Sequence, residues 1–240
     1  MRRIAFFGGS FDPPHRGHLA VATAAADRLA LDQVLFAPVG RQPLKGKFPA
    51  TDFVHRYAMI ALATQADARF VPSLLDAPYN SDSRREKDTR PNYTVDTLAR
   101  LRASLAAVSE PTALFTLLGA DSWLDIGHWH QSARLLALTD WIVAARPDFS
   151  LDSTEAALPP TVKAHSMRDA AEGGLELHHA DDTVTRVWFL PRLHEDISAT
   201  ELRAALDRGQ VDADLVPAAV RGYIAKTGIY PSSAPPNPLT

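Results

Sequence analysis

Two histidines three residues apart, His15 and His18, stand inside the string Gly8-Gly9-Ser10-Phe11-Asp12-Pro13-Pro14-His15-Arg16-Gly17-His18. If both lie in the first turn of a helix they face one direction, and each imidazole offers a short, stiff N–H donor to a phosphate oxygen. No cysteine and no carboxylate pattern with metal-ligand spacing accompanies them, so the pair reads as phosphate chemistry rather than a metal site. A lone H-x-x-H is more often a pair of solvated helix-start residues, and the surrounding elements decide between the two.

Those elements are a strand, a glycine turn and a helix. Ile4-Ala5-Phe6-Phe7 is an unbroken apolar run, expected as a strand buried on both faces, and Leu19 to Leu31 is Ala- and Leu-rich at helical spacing. Gly8 and Gly9 are expected to supply backbone conformations closed to other residues and to leave no side chain in the way of a ligand. The unpaired N–H groups of a helix opening near Gly17 then make an anion site.

The whole string resembles the signature of the nucleotidyltransferases with an H-x-G-H motif, and within them the bacterial nicotinate-nucleotide adenylyltransferases. Phosphopantetheine adenylyltransferases carry threonine where His15 stands. The resemblance implies a Rossmann-like fold and an ATP site around Gly8, Gly9, Ser10, Phe11 and Gly17. It gives His15 and His18 to the α- and β-phosphates, and Mg²⁺ is implied as an ion held mainly by ATP phosphates.

Further segments are similar to the family. The loop Gly40 to Lys47 usually holds a His-Lys pair there; Leu44 departs from it, so only Lys45 carries over, and Arg41 and Lys47 read as ordinary solvated cations. Asn92-Tyr93-Thr94 reads as a helix start with Asn92 as a possible cap, and its freed N–H groups suit a carboxylate. By resemblance the nicotinate carboxyl group sits there, although Asn92 replaces the family's serine. Asp121, in Gly119-Ala120-Asp121-Ser122, is assigned by resemblance to the adenylate side, the plainer alternative being a helix cap. Trp129 falls at the family's pyridine-facing aromatic position, whereas Trp123 is expected in the core; His128 and His130 have no assigned role. Arg146, before Pro147, matches a family pair near the pyridine nucleotide. Ser198 with Glu201 reads as a capping box, and the resemblance puts Ser198, Thr200 and Arg203 on the ATP phosphates.

The chain has 240 residues, 46% hydrophobic and 22% charged, enough to bury a full core. A net charge of -3 argues against a general nucleic-acid or membrane surface, so local basic groups must meet any phosphate. With no cysteine there are no disulfides, thiolate metal sites or cysteine nucleophiles. Met1-Arg2-Arg3 resembles a signal peptide only superficially, because Gly8 and Gly9 interrupt the apolar run, and no run reaches membrane-spanning length. A cytoplasmic protein is expected.

Strand-like and helix-like segments alternate: strands at 33–39, 69–72, 113–118, 141–145 and 186–190, and helices at 51–65 and 93–105. Val54, Tyr57, Ala58 and Leu62 are expected on the apolar face of the helix at 51–65. This is an α/β pattern, a doubly wound, mostly parallel sheet flanked by helices, with ligands beyond the carboxyl ends of its strands where their order reverses. One domain is expected over 1–230, with an insertion at 149–185 holding one or two short helices, and a disordered proline-rich tail at 231–240.

What the resemblance implies is adenylyl transfer from ATP to nicotinate mononucleotide in NAD biosynthesis, without a covalent enzyme intermediate, with Lys45 and Arg203 steadying pyrophosphate. Alternatives are another acceptor, nicotinamide mononucleotide or phosphopantetheine, or a nucleotide sensor without turnover. A redox dinucleotide site is disfavoured because the first turn lacks G-x-G-x-x-G spacing.

Overall fold

The run Ile4–Phe7 becomes the buried centre of β1 (Arg2–Gly9). Its side chains alternate: Ala5 and Phe7 join one hydrophobic cluster and Phe6 the other, as a strand between two helical layers requires. The computed structural model describes residues 1–40, 51–78, 91–144, 151–167, 174–190, 202, 205 and 215–230.

Among the described residues seven further strands follow: β2 (Gln33–Pro38), β3 (Phe70–Pro72), β4 (Thr112–Gly119), β5 (Asp140–Ala144), β6 (Lys163–Ser166), β7 (Gly174–His178) and β8 (Val184–Leu190). They form one sheet in the order β3-β2-β1-β4-β5-β8-β7-β6. The pairs from β3 through β1 and β4 to β8 are parallel, and β8-β7 and β7-β6 are antiparallel. The order reverses between β1 and β4, so the crevice at their carboxyl ends, by Gly9 and Gly119, is where a doubly wound sheet takes its ligand.

The helices with described bounds are α1 (Arg16–Arg28), α2 (Phe53–Ala63), α3 (Thr94–Ala106), α4 (Ala120–Leu124), α5 (Ser132–Leu136), α6 (Leu151–Ala156) and α7 (Ala218–Thr227), with a 3₁₀ turn at Ile126–His128. On one face of the sheet, Ala22, Ala25 and Ala26 of α1 pack on Phe7, Phe36 and Phe115; small residues let the helix come close. On the other face, Val95, Leu98 and Leu101 of α3 meet Phe6, Leu118, Trp123 and Trp141. Trp123 is fully buried as expected, and its indole N–H donates to the Thr154 carbonyl at 3.3 Å. A third cluster joins Met59 and Ala63 of α2 to Val220 and Ile224 of α7 and to Tyr230. Gly228 ends α7 in the left-handed region (φ 63°), a turn that glycine makes at little cost.

Two expectations are corrected. The buried face of α2 is Arg56, Met59, Ile60 and Ala63, whereas Val54 is 67% exposed. An arginine stands in the apolar stripe, which shifted the apparent periodicity by two residues. Within 149–185, the described part contains α6 but also β6 and β7, which widen the sheet. Leu175 and Leu177 alternate on β7 and are buried, the period-two signal of a half-buried strand. Among the described residues no helix is long and apolar enough to cross a membrane.

Candidate active site

Gly8 and Gly9 lie in extended β1, not in the left-handed region expected of them. Their requirement is space: a Cβ would come to 2.9 Å from the Phe6 ring at Gly8 and 3.2 Å from the Phe11 ring at Gly9. The chain turns instead at Phe11, whose φ of 49° is strained for a residue with a side chain. That turn buries the Phe11 ring, 1% exposed, edge-on to Phe7 with centroids 5.3 Å apart. Phe11 therefore backs the site from the core, with its centroid 4.9 Å from that of His18.

His15 is the N-cap of α1 and His18 sits in its first turn, so the two imidazoles lie together as expected, centroids 3.7 Å apart and planes inclined by 34°. The His15 amide donates to His18 Nδ1 at 3.2 Å. An acceptor at Nδ1 leaves the proton of a neutral His18 on Nε2. Burial lowers the His15 pKa to about 4, and burial together with His15 holds His18 well below the ordinary histidine value. Both rings are therefore neutral donors at pH 7. In the capping box of α1 the His15 side chain faces the backbone N–H of His18 as an acceptor, which puts the His15 proton on Nε2 as well.

The open helix start is less open than its sequence suggests. The Arg16 amide donates to the Leu215 carbonyl at 2.8 Å and the His18 amide to His15 at 3.0 Å. Two of the amides that a helix start offers are thus already bonded, and the imidazoles supply side-chain donors at this turn.

Beside the turn lies a cavity of about 550 Å³. Gly8 and Gly9 form part of its wall, joined by Asn92, Tyr93, Thr94, Asp121 and Trp129, so residues far apart in the chain meet as expected. His15 and His18 are not among its lining residues; His18 lies against the Phe7 and Phe11 rings. Tyr93 is the N-cap of α3, and Asn92, expected to cap, does not: it is buried and donates to the Ala77 carbonyl at 3.3 Å. It packs against Gly40, where a Cβ would come to 2.6 Å from Pro78 N and 2.8 Å from the Asp76 carbonyl. Asp121 is exposed in the first turn of α4 and is not its cap, since Gly119 holds that position. Trp129 is half-buried, ends the 3₁₀ turn and packs on the core while lining the cavity. Lys45, Arg146, Ser198, Thr200 and Arg203 lie outside the described residues. A second cavity, about 470 Å³, opens at the amino ends of β4 and β5 and holds none of the motif residues.

Two residues, Asp76 and Arg56, escaped the sequence reading, and a third, His130, was named without a role. His130 stacks on Tyr93 with centroids 4.1 Å apart at 29°, and both line the cavity. Asp76 also lines it; the Thr97 hydroxyl donates to its carboxylate at 2.5 Å, and burial raises its pKa to about 6. Arg56, 1% exposed, donates to the carbonyls of Thr51, Ser10 and Val39 at 3.0, 2.8 and 2.7 Å. No spacing announced any of them; the only signal was a lone arginine in an otherwise apolar stretch of α2.

The family model described as Cytidylyltransferase-like matches residues 6–205. A probable nicotinate-nucleotide adenylyltransferase of Chromobacterium violaceum is 37% identical over 95% of this chain and 98% of its own length. One of Moorella thermoacetica is 34% identical over 95% and 91%. Among solved structures, the Plasmodium falciparum nicotinic acid mononucleotide adenylyltransferase complexed with NaAD has a TM-score of 0.66 at 17% identity, covering 96% of this chain and 98% of that one. Its likeness is one of fold, and the sequence relatives carry the assignment. A glycine strand end flanked by a histidine pair and an aromatic-walled cavity, in a sequence so close to these relatives over nearly its whole length, places the chain in the nicotinate-nucleotide adenylyltransferase family.

Proposed function

We propose that this enzyme transfers AMP from ATP to nicotinate mononucleotide, releasing pyrophosphate and forming nicotinate adenine dinucleotide. The observation that carries this reading is the His15–His18 pair, two neutral N–H donors at the carboxyl end of β1, next to a cavity walled by Tyr93, Trp129 and His130. The acceptor's phosphate is already ionised, so its oxygen attacks the α-phosphorus directly while the bond to the β-phosphate breaks. No proton needs removal, and catalysis reduces to alignment and charge stabilisation. Each imidazole Nε2–H is assigned to the phosphate oxygens, where its hydrogen bond strengthens as charge builds on the leaving pyrophosphate.

The pyridine ring is assigned to Trp129, with its carboxylate at the amino end of α3 near Tyr93 and Thr94, where the helix dipole favours a negative group. A neutral amide presents N–H donors to the same donors and is disfavoured. Asp121 is assigned to the ribose of ATP. Lys45 and Arg203 are assigned to the pyrophosphate, Ser198 and Thr200 to the ATP phosphates, and Arg146 to the pyridine nucleotide, all on sequence resemblance. The described residues hold no cluster of three or more His, Cys, Asp or Glu side chains able to bind a metal. Mg²⁺ fits as an ion that arrives with ATP, coordinated mainly by phosphate and water, and it supplies charge neutralisation on the triphosphate. A cytoplasmic location is part of the same reading.

The test is pyrophosphate release and dinucleotide formation with Mg²⁺-ATP and, in parallel, nicotinate mononucleotide, nicotinamide mononucleotide or phosphopantetheine. Fast turnover with the nicotinate form alone supports the reaction and the carboxylate site; equal turnover with the amide removes the site at Tyr93 and Thr94.

A further inference from the structure

The segment Ser10 to Pro14 carries the histidines out of β1, and its shape is not one the chain adopts unaided: Phe11 is held at a φ of 49°. Such a backbone persists only where its surroundings over-determine it. The restraints come from two buried side chains, Arg56 and Asp12. Arg56 Nη1 donates to the Ser10 carbonyl at 2.8 Å, immediately before Phe11. Its Nη2 donates to Val39 at the exit of β2, 2.7 Å, and its Nε to Thr51 before α2, 3.0 Å. Immediately after Phe11, the Asp12 carboxylate accepts the Thr51 amide at 3.3 Å and the Tyr230 hydroxyl, and it opposes the charge of Arg56. Phe11 is thus bracketed on both sides, and its ring backs His18.

We propose that Arg56 is a positioning residue for catalysis, its guanidinium fixing the Ser10–Phe11 turn and through the Phe11 ring the orientation of His18. The path runs from Arg56 to the Ser10 carbonyl, to the left-handed Phe11 backbone, to the ring 4.9 Å from that of His18. A planar fork reaching three carbonyls of three segments is a task for arginine; a lysine at this depth keeps the charge but has one nitrogen and no fixed plane. Burying a cation costs stability, and three backbone carbonyls together with the Asp12 carboxylate offset that cost here.

The inference rests on the proposed adenylyl transfer, and wild-type turnover is measured first: its absence overturns that reading, not the assignment to Arg56. In Arg56→Lys, kcat is expected to fall about 100-fold, the scale of a 1 Å misplacement at a reacting centre. The KM for the pyridine nucleotide should change far less than kcat, because Arg56 meets the cavity wall at the Val39 carbonyl, away from Tyr93 and Trp129. The ¹⁵N ring signals of His18 should lose the clean Nε2–H pattern of the wild type. Leu177→Ala, in β7 and remote from the turn, is the comparison for simple destabilisation and should keep kcat and the His18 pattern in its folded fraction. A folded Arg56→Lys enzyme with kcat within threefold of wild type and unchanged His18 signals overturns the proposal. If Arg56→Lys does not fold, Phe11→Leu decides: it removes the ring through which the turn orients His18, kcat and the clean Nε2–H pattern of His18 are expected to be lost together, and a kcat within threefold of wild type with unchanged His18 signals overturns the proposal.

Discussion

His18 has two jobs on two ring nitrogens, and substitution can separate them. Nδ1 accepts the His15 amide at 3.2 Å, while Nε2 carries the proton assigned to the phosphates. In His18→Asn the side-chain oxygen takes the place of Nδ1 and nothing replaces Nε2; in His18→Gln the amide nitrogen reaches the Nε2 position and the Nδ1 acceptor is lost. The amide bond is worth about 0.5–1.5 kcal/mol of stability. A donor aimed at developing charge is worth about 2.7–4 kcal/mol in the transition state, or 100- to 1000-fold in rate. His18→Asn should therefore unfold within about 1 kcal/mol of wild type yet lose two to three orders of magnitude in kcat. His18→Gln should be the less stable protein and the faster enzyme. Pyrophosphate release under saturating Mg²⁺-ATP and urea titration give both numbers. Near-normal turnover by His18→Asn, or a Gln variant slower than the Asn variant, refutes the division of labour.

Three further outcomes follow from the geometry. Trp129→Ala should raise the KM for the pyridine nucleotide about fivefold or more, since a stacked ring is worth roughly 1 kcal/mol beyond its area, and leave that for ATP unchanged; an effect on both takes Trp129 out of the pyridine pocket. His15 has a pKa of about 4 in the folded protein against an ordinary 6.5, so its protonation favours the unfolded chain. This contribution to stability is whole above pH 6.5 and is lost as pH falls towards 4. Because ATP's negative charge raises the same pKa, binding near pH 5.5 should take up protons, read by calorimetry in buffers of different ionisation enthalpy; zero uptake between pH 5 and 6 contradicts the phosphate contact. Gly40→Ala forces a Cβ to 2.6 Å from Pro78 N and should cost about 1–3 kcal/mol and weaken the pyridine nucleotide through Asn92; a neutral substitution on both counts contradicts the close approach.

The parts of this molecule legible in its sequence were those with a period or a motif. β1, β4 and β5 announce themselves as apolar runs, and their parallel order follows from the helices between them. His15 and His18 stood out by their spacing after a strand and a glycine turn, whereas Tyr93, Asp121 and Trp129 were singled out through the resemblance to the family, and the structure brings these three to one cavity wall. Arg56 was hidden by the very rule that finds helices: hydrophobic periodicity assigns charge to the solvent face, and here a guanidinium occupies the buried face because three carbonyls converge on it. Asp76 and His130 were illegible for a related reason. Their surroundings, Thr97 for one and Tyr93 for the other, come from segments separated in sequence by tens of residues and meet only once the sheet is wound. The strand ends at Gly8 and Gly9 show the converse error, right residues for a different cause: the glycines make room for the Phe6 and Phe11 rings rather than for an unusual backbone.

Two neutral, closely packed imidazoles beside the proposed phosphate site admit two chemistries, direct displacement at the α-phosphorus or transient adenylylation of a ring nitrogen. The stereochemical course separates them. The measurement is turnover of a single P-diastereomer of adenosine 5′-O-(1-thiotriphosphate) with nicotinate mononucleotide, followed by assignment of the configuration at phosphorus in the dinucleotide product. One in-line attack, with His15 and His18 only donating hydrogen bonds, predicts inversion. Retention, the mark of two successive displacements through a covalent intermediate, contradicts the account.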